Sequence, residues 1–192
     1  MPILDHFGLI APYYDRVIRL LTAEKIIKLA NLPIEGSMLD AGGGTGRVAE
    51  ALRGQAGSLV LVDLSFQMLK QAKKKGGLQT ACSHTEYLPF PNDSFERVIM
   101  VDALHHVSDQ TKTANELWRV LKPGGRLVIE EPDIRRFSVK LVALAEKVAL
   151  MRSHFLSPQA IVRLFPDKNA RTRIERDGFN AWVVIDKVSP VN

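Results

Sequence analysis

Cysteine is nearly absent, with Cys82 the only one among 192 residues. A lone thiol closes no internal disulfide and builds no multi-cysteine metal site. Thiol-rich metal chemistry is therefore excluded, no metal site is expected, and a reducing, cytoplasmic location is. Long apolar runs are also lacking: no stretch of about 18 apolar residues is available to cross a bilayer. The start, Met1-Pro2-Ile3-Leu4-Asp5-His6, has no basic region followed by an apolar run of the secretory kind. Repeats, low-complexity tracts and Pro/Ser-rich linkers are missing too, so one domain over residues 1–192 is expected.

Charge is present but uneven. Residues 1–131 carry 15 basic and 15 acidic side chains, whereas residues 132–192 carry 11 and 6, so the whole net charge of +5 lies in the last third. Such a bias can attract an anionic ligand, a phospholipid surface or nucleic acid, although a solvated basic face is the commoner meaning. Within it, Ile134, Phe137, Leu141, Leu144, Val148 and Met151 recur at spacings of three and four, opposite Arg135, Arg136, Lys140, Lys147 and Arg152. This predicts an amphipathic helix over 134–152, a candidate lid or peripheral membrane contact within an insertion of about 133–166.

Elsewhere strands and helices alternate. Cap helices are expected over about 1–32, the last from Thr22 to Ala30. A buried strand, Met38–Asp40, feeds the glycines, and Gly46–Leu52 reads as a helix. Ser58–Asp63 is a continuous apolar strand, and Ser65 caps a helix to about Lys75. Leu78–Cys82 and Arg97–Asp102 follow as strands, with a helix over Ser108–Leu121. Lys122–Gly125 is expected to be a breaker loop before the strand Arg126–Glu130. Asp177-Gly178 predicts a tight hairpin between Arg171–Arg176 and Phe179–Lys187. The pattern specifies an α/β fold with a mostly parallel sheet, helices on both faces and an antiparallel hairpin at one edge.

The most informative stretch is Leu39-Asp40-Ala41-Gly42-Gly43-Gly44-Thr45-Gly46-Arg47. A glycine-rich turn from strand to helix lets a ligand approach the backbone closely, and its amides point toward the ligand. The dinucleotide fingerprint Gly-x-Gly-x-x-Gly does not fit, because position 47 is Arg; only Gly42-x-Gly44-x-Gly46 does. The turn therefore suits a nucleoside ligand without a pyrophosphate. Asp63, at the end of the next strand, is placed to accept both ribose hydroxyls.

These stretches resemble class I S-adenosylmethionine-dependent methyltransferases of the small-molecule group that includes ubiquinone and menaquinone C-methyltransferases. The resemblance covers about residues 10–131. Beyond Leu39–Gly46 and Val62-Asp63-Leu64-Ser65, it rests on Ala11–Asp15, Glu86–Pro91, Ser94-Phe95, Ala103–Val107 and Trp118–Gly125. It implies a seven-stranded Rossmann-like sandwich that binds S-adenosylmethionine and releases S-adenosylhomocysteine. Asp40, Ala41, Gly42, Gly44 and Gly46 would border the methionine end and Asp63 the ribose. Leu64, Met68, His84, Thr85 and Val101 would lie around the adenine and the cleft wall, with Tyr14 closing from the N-terminal side. His84 departs from the pattern, since related proteins carry an Asp there that accepts from the adenine amino group. A neutral imidazole can accept through one nitrogen and a protonated one cannot, so the Thr85 backbone is the other candidate.

An activated methyl needs an in-line nucleophile, exclusion of water and, for oxygen or carbon acids, removal of a proton. The expected groups lie beyond strands four and five: Asp102, His105, His106, Glu130 and Glu131. His106 is the first candidate base or substrate contact and His105 the second. The alternative is that they cap a helix or pack beneath the lid. Asp102-Ala103-Leu104-His105 is not the stretch of DNA amino-group methylases, and paired cysteines for cytosine or arsenite are lacking. A small, apolar or anionic, quinone-like acceptor is expected, and a monomer or homodimer. Alternatives are a regulatory binder of the cofactor and an RNA or protein methyltransferase.

Overall fold

A computed structural model describes residues 23–136, 139–140 and 153–189. Tyr14, the first cap helices and most of the basic helix over 134–152 lie outside the described residues. In chain order the elements are α1 (Ala23–Ala30), β1 (Ile34–Ala41), α2 (Arg47–Ala51), β2 (Ala56–Asp63), α3 (Phe66–Lys74) and β3 (Gln79–Cys82). There follow β4 (Phe95–Val101), a 3-10 turn (Leu104–His106), α4 (Gln110–Val120), β5 (Leu121–Pro132), α5 (Pro158–Arg163), β6 (Ala170–Asp177) and β7 (Asn180–Lys187). The seven strands form one sheet in the order β3-β2-β1-β4-β5-β7-β6. The first five are parallel, and β7 runs antiparallel between β5 and β6.

Alternation along each strand sends side chains to two cores. Leu39, Ala41, Met100, Ile129 and Val183 face α4 and α5, whereas Met38, Ile99, Val101, Val128, Trp182 and Val184 face α1 and α2. The central strands are therefore apolar on both sides, as parallel strands covered by helices must be. Ser65 caps α3 by accepting from the Met68 amide. The cap of α4 is Asp109, which accepts from Lys112, so this helix begins later than the Ser108 start expected.

Two local expectations are corrected. Lys122–Gly125 does not separate helix from strand but lies within β5. Leu121 pairs with Phe95 and Arg126 with Arg97, so the extra residues bulge out of the ladder, with Gly124 at φ 79°. At the hairpin Asp177 pairs with Asn180, leaving Gly178-Phe179 as the two-residue turn, with Gly178 at φ 58°. Only glycine takes that φ without strain, which moves the turn one position along.

Candidate active site

The carboxyl ends of β1, β2, β4 and β5 meet at one edge of the sheet, where ligands gather in open α/β folds. A small cleft, open to solvent, is lined by Asp40, Gly42, Gly43, Gly44, Thr45, Arg47, Val48 and Val101. Gly42, Gly44 and Gly46 have φ of 73°, 54° and 73°, matching the Gly-x-Gly-x-Gly spacing. Gly43 is needed for another reason: a Cβ there would sit 2.7 Å from Asp40 Oδ2 and 2.6 Å from Leu61 Cγ.

The expectation of free loop amides is corrected. Gly42 and Gly43 donate to Val62 O at 2.8 and 3.1 Å, and Gly44 donates to Asp63 Oδ2 at 2.8 Å. With only five residues, α2 adds little dipole. The loop instead offers close backbone approach and two acids of opposite condition. Asp63 also accepts from Ser65 N at 2.7 Å through its other oxygen. Asp40 is fully buried, and neither of its oxygens has a hydrogen-bond partner. Burial first, then the Asp63 charge, pushes its pKa up to about 7, against the polarity of the Ala49 amide and the charge of Arg47.

Around the adenine end, Leu64 is exposed, whereas Met68 is buried in α3 rather than on the cleft wall. The imidazole of His84 is half exposed, with Nδ1 3.8 Å from Glu86 Oε2. Thr85 is buried, and its hydroxyl lies 3.2 Å from that of Thr113. Glu86 accepts from Ser108 N and Asp109 N at 2.9 and 3.2 Å, which fixes this loop against the start of α4.

The β4–β5 side carries the histidines. Glu131 Oε1 accepts from Ala103 N and Leu104 N at 3.0 and 2.6 Å, and its Oε2 lies 2.6 Å from His105 Nδ1. His105 is buried, stacked on Phe155 at 4.3 Å and tilted against His106 at 3.9 Å between ring centres. His106 Nδ1 lies 3.3 Å from Ser153 Oγ. Burial and the neighbouring His105 lower the His106 pKa to about 3, so its imidazole stays neutral at physiological pH. Such a ring is a weak base but a good neutral hydrogen-bonding group. Asp102 follows β4 with φ 54°, and its amide donates to Glu130 O at 3.0 Å. Glu130 itself is buried, and burial, then Asp102 and Glu131, pushes its carboxyl well above the usual range, against the charge of Arg47 and a side-chain hydrogen bond with Asn180.

Of the residues expected from sequence, Asp40, Gly42, Gly44 and Val101 meet at the cleft, with Asp63 bonded to Gly44. Thr45, Arg47 and Val48 also line it and were not expected; nothing in their residue types marks them, though Arg47 directly follows the glycine run. Ser153 and Phe155 join the histidines from far along the chain. Among the described residues no group of three or more His, Cys, Asp or Glu side chains could hold a metal ion.

A 3-2-1-4-5-7-6 sheet with a glycine-loop cleft at its carboxyl edge is a Rossmann-like α/β arrangement. Residues 39–129 match the family model described as a methyltransferase domain. That match takes in just under half of the chain, and over it the chain is similar to S-adenosylmethionine-dependent methyltransferases. It is 35% identical over 105 residues to a ubiquinone/menaquinone biosynthesis C-methyltransferase of Escherichia coli, a match covering 50% of this chain and 42% of that protein. The aligned part thus spans well under half the length of this curated relative. Among solved structures, an S-adenosylmethionine-dependent methyltransferase of Thermotoga maritima superposes with TM-score 0.78 at 22% identity, covering 94% of this chain and 98% of its own. The geranyl diphosphate C-methyltransferase of Streptomyces coelicolor, solved with S-adenosyl-L-homocysteine, gives 0.70 at 18% identity over 86% of this chain and 76% of its own. Among the described residues no helix is long and apolar enough to cross a membrane.

Proposed function

We propose that the chain binds S-adenosylmethionine in the glycine-loop cleft and directs methyl transfer to a small, apolar, quinone-like acceptor by in-line displacement. The observation that carries this reading is the pair of acids flanking the loop, a bonded Asp63 and an orphaned, buried Asp40. The fit is chemical. An unpaired carboxylate in a buried wall is costly unless a cation or donor meets it, and the methionine ammonium is such a group. Asp63 would hold the ribose, and Ala41, Gly42, Gly44 and Gly46 would let the ligand lie against the backbone. Leu64, His84 and Thr85 would bound the adenine, and Val101 the wall between cofactor and acceptor. When bound, S-adenosylmethionine supplies a sulfonium methyl already activated for transfer, so the chain need only orient the acceptor and exclude water.

Similarity to the ubiquinone/menaquinone C-methyltransferase supports a quinone-like acceptor. The acids Asp102, Glu130 and Glu131 at this edge favour its apolar over its anionic form. His106, neutral and beside Ser153, would contact the acceptor, with His105 fixed behind it by Glu131. Calorimetry with S-adenosylmethionine and S-adenosylhomocysteine tests the foundation: no binding of either overturns it. Label transfer from [methyl-14C]S-adenosylmethionine to a panel of quinols and phenols tests the acceptor. Binding without transfer to any extract component would make the chain a regulatory binder instead.

A further inference from the structure

Among the described residues four large apolar side chains stand in solvent: Leu64, Phe66, Tyr87 and Phe179, between 55% and 65% exposed. Scattered singly, such residues are ordinary on a protein surface. These are gathered at one edge. Leu64 follows the carboxyl end of β2, and Phe66 opens α3. Tyr87 lies after β3, where its amide donates to His84 O at 3.1 Å and the adjoining Glu86 holds the start of α4. Phe179 sits in the turn between β6 and β7, its carbonyl accepting from Asp133 N just past β5. All four therefore stand at the carboxyl edge of the sheet. The cleft at β1 and β4 opens between them, with Leu64, Phe66 and Tyr87 on the β2–β3 flank and Phe179 on the β5–β7 flank. About 20 Å of sheet separates the flanks.

Each flank sets cations beside its aromatic rings. Lys70 Nζ lies 4.9 Å from the centre of the Phe66 ring, and Lys112 Nζ lies 3.6 Å from that of Tyr87. Next to Phe179, Arg135 and Arg176 both approach Asp133. The acids nearby are engaged within the fold: Asp177 by Lys25 at 3.0 Å, Asp109 by the Lys112 amide at 2.9 Å, and buried Asp133 by Arg135 at 2.8 Å. The balance presented outward is positive. Lysine and arginine lay their stems along apolar surface and keep their heads at a polar boundary, and aromatic rings favour the same boundary. Exposed rings flanked by cations fit the headgroup layer of an anionic membrane, where apolar burial and charge attraction add.

We propose that the carboxyl edge docks on an anionic lipid surface: Phe66, Tyr87 and Phe179 enter the headgroup layer, Lys70, Lys112, Arg135 and Arg176 meet lipid phosphates, and the cleft opens onto the membrane. The contact is peripheral, since no helix among the described residues is long and apolar enough to cross a bilayer. The docking surface stands on exposure and charge alone. Its consequence rests on the acceptor class proposed above. An apolar acceptor dissolves in lipid, and a cleft that faces the bilayer receives it without a costly passage through water.

The test is sedimentation of the full chain with vesicles of phosphatidylcholine, alone or with about 30 mol% phosphatidylglycerol. The wild-type protein should partition to the anionic vesicles at least about tenfold more strongly than to the neutral ones, and lose most of that preference in high salt. The triple variant Phe66→Ser, Tyr87→Ser, Phe179→Ser should lose about tenfold in partition to anionic vesicles, while its affinity for S-adenosylhomocysteine changes less than about twofold. Hydrogen exchange on the wild type needs no variant: it should slow around Phe66, Tyr87 and Phe179 when anionic vesicles are added. Absence of vesicle binding, undiminished binding by the triple variant, or protection confined to residues 137–152 would overturn the proposal. So would a dimer in place of vesicle binding that the triple variant dissolves, which would assign the edge to a second copy of the chain. Vesicle binding without affinity for S-adenosylmethionine would keep the surface and remove the methyl-donor reading.

Discussion

The two halves of the sheet's carboxyl edge are built alike. At the β1–β2 side Asp63 is bonded, holding Gly44 and Ser65, while its neighbour Asp40 is buried with no hydrogen-bond partner. At the β4–β5 side Glu131 is bonded, holding Ala103, Leu104 and His105, while its neighbour Glu130 is buried. In each half one carboxylate spends its oxygens shaping a loop and the other is buried with a raised pKa. Bracing the loop and presenting a buried acid thus fall to different residues. Substitutions in the two classes should fail in different ways.

The strongest challenge to that division is Glu131→Ala, which leaves two amides and an imidazole buried without their acceptor. It should cost about 3–5 kcal/mol of stability by urea denaturation, and a loss under about 1 kcal/mol would show that Glu131 shapes nothing. Gly43→Ala comes next. Its Cβ would collide with Asp40 and Leu61, so the loop must shift, and S-adenosylmethionine affinity should drop about 100-fold by calorimetry. Wild-type affinity would mean that the loop is not the receptor.

Asp40→Asn sharpens the contrast, because a receptive acid should weaken the fold that carries it. With a folded pKa of about 7, Asp40 keeps its proton where the unfolded chain has lost it. Its contribution to stability is therefore full below about pH 4 and lost as pH rises to about 7, some 2 kcal/mol of it between pH 5 and 7. The Asn variant should lack this slope in thermal melts and be the more stable protein above pH 7, while binding the methyl donor about tenfold more weakly. A variant less stable at every pH would place Asp40 among the shaping residues.

The smallest effect is expected at His106. Its Ala variant should lose about tenfold in turnover with less than a twofold change in donor affinity. Because the folded pKa is lowered to about 3, the stabilisation tied to the neutral ring is present above about pH 6.5 and is lost as pH falls toward 3. Turnover of the wild type should show no His106 titration between pH 5 and 8. Equal losses in turnover and affinity would assign His106 to packing.

Legibility in the sequence follows the range of the contacts. The glycine loop, the acid after β2, the Ser65 cap and the parallel strands are written in neighbouring residues, and the structure places them where the pattern does. What the pattern missed depends on register between distant strands. Glu131 meets His105 across 26 positions, and Ser153 meets His106 across 47. The shared face of Asp40, Val101 and Glu130 exists only once three strands are aligned. Lys122–Gly125 carries a loop's composition, yet its neighbours pair on both sides, so it became a bulge. Arg135, expected on a solvated basic face, is exposed and also donates to Asp133 at 2.8 Å through Nε.

The position of β7 has a consequence for synthesis. β5, which carries Glu130 and Glu131, pairs with β7 from Arg126–Asp186 to Pro132–Asn180. Until residues 180–187 have left the ribosome, that edge of β5 has no neighbour, and a free parallel-sheet edge is a template for mispairing with other chains. The side of β5 that carries Glu130 and Glu131 is therefore paired late, after the five parallel strands have been made. A nascent chain halted just short of Asn180 should depend on chaperones far more than one halted just past Lys187.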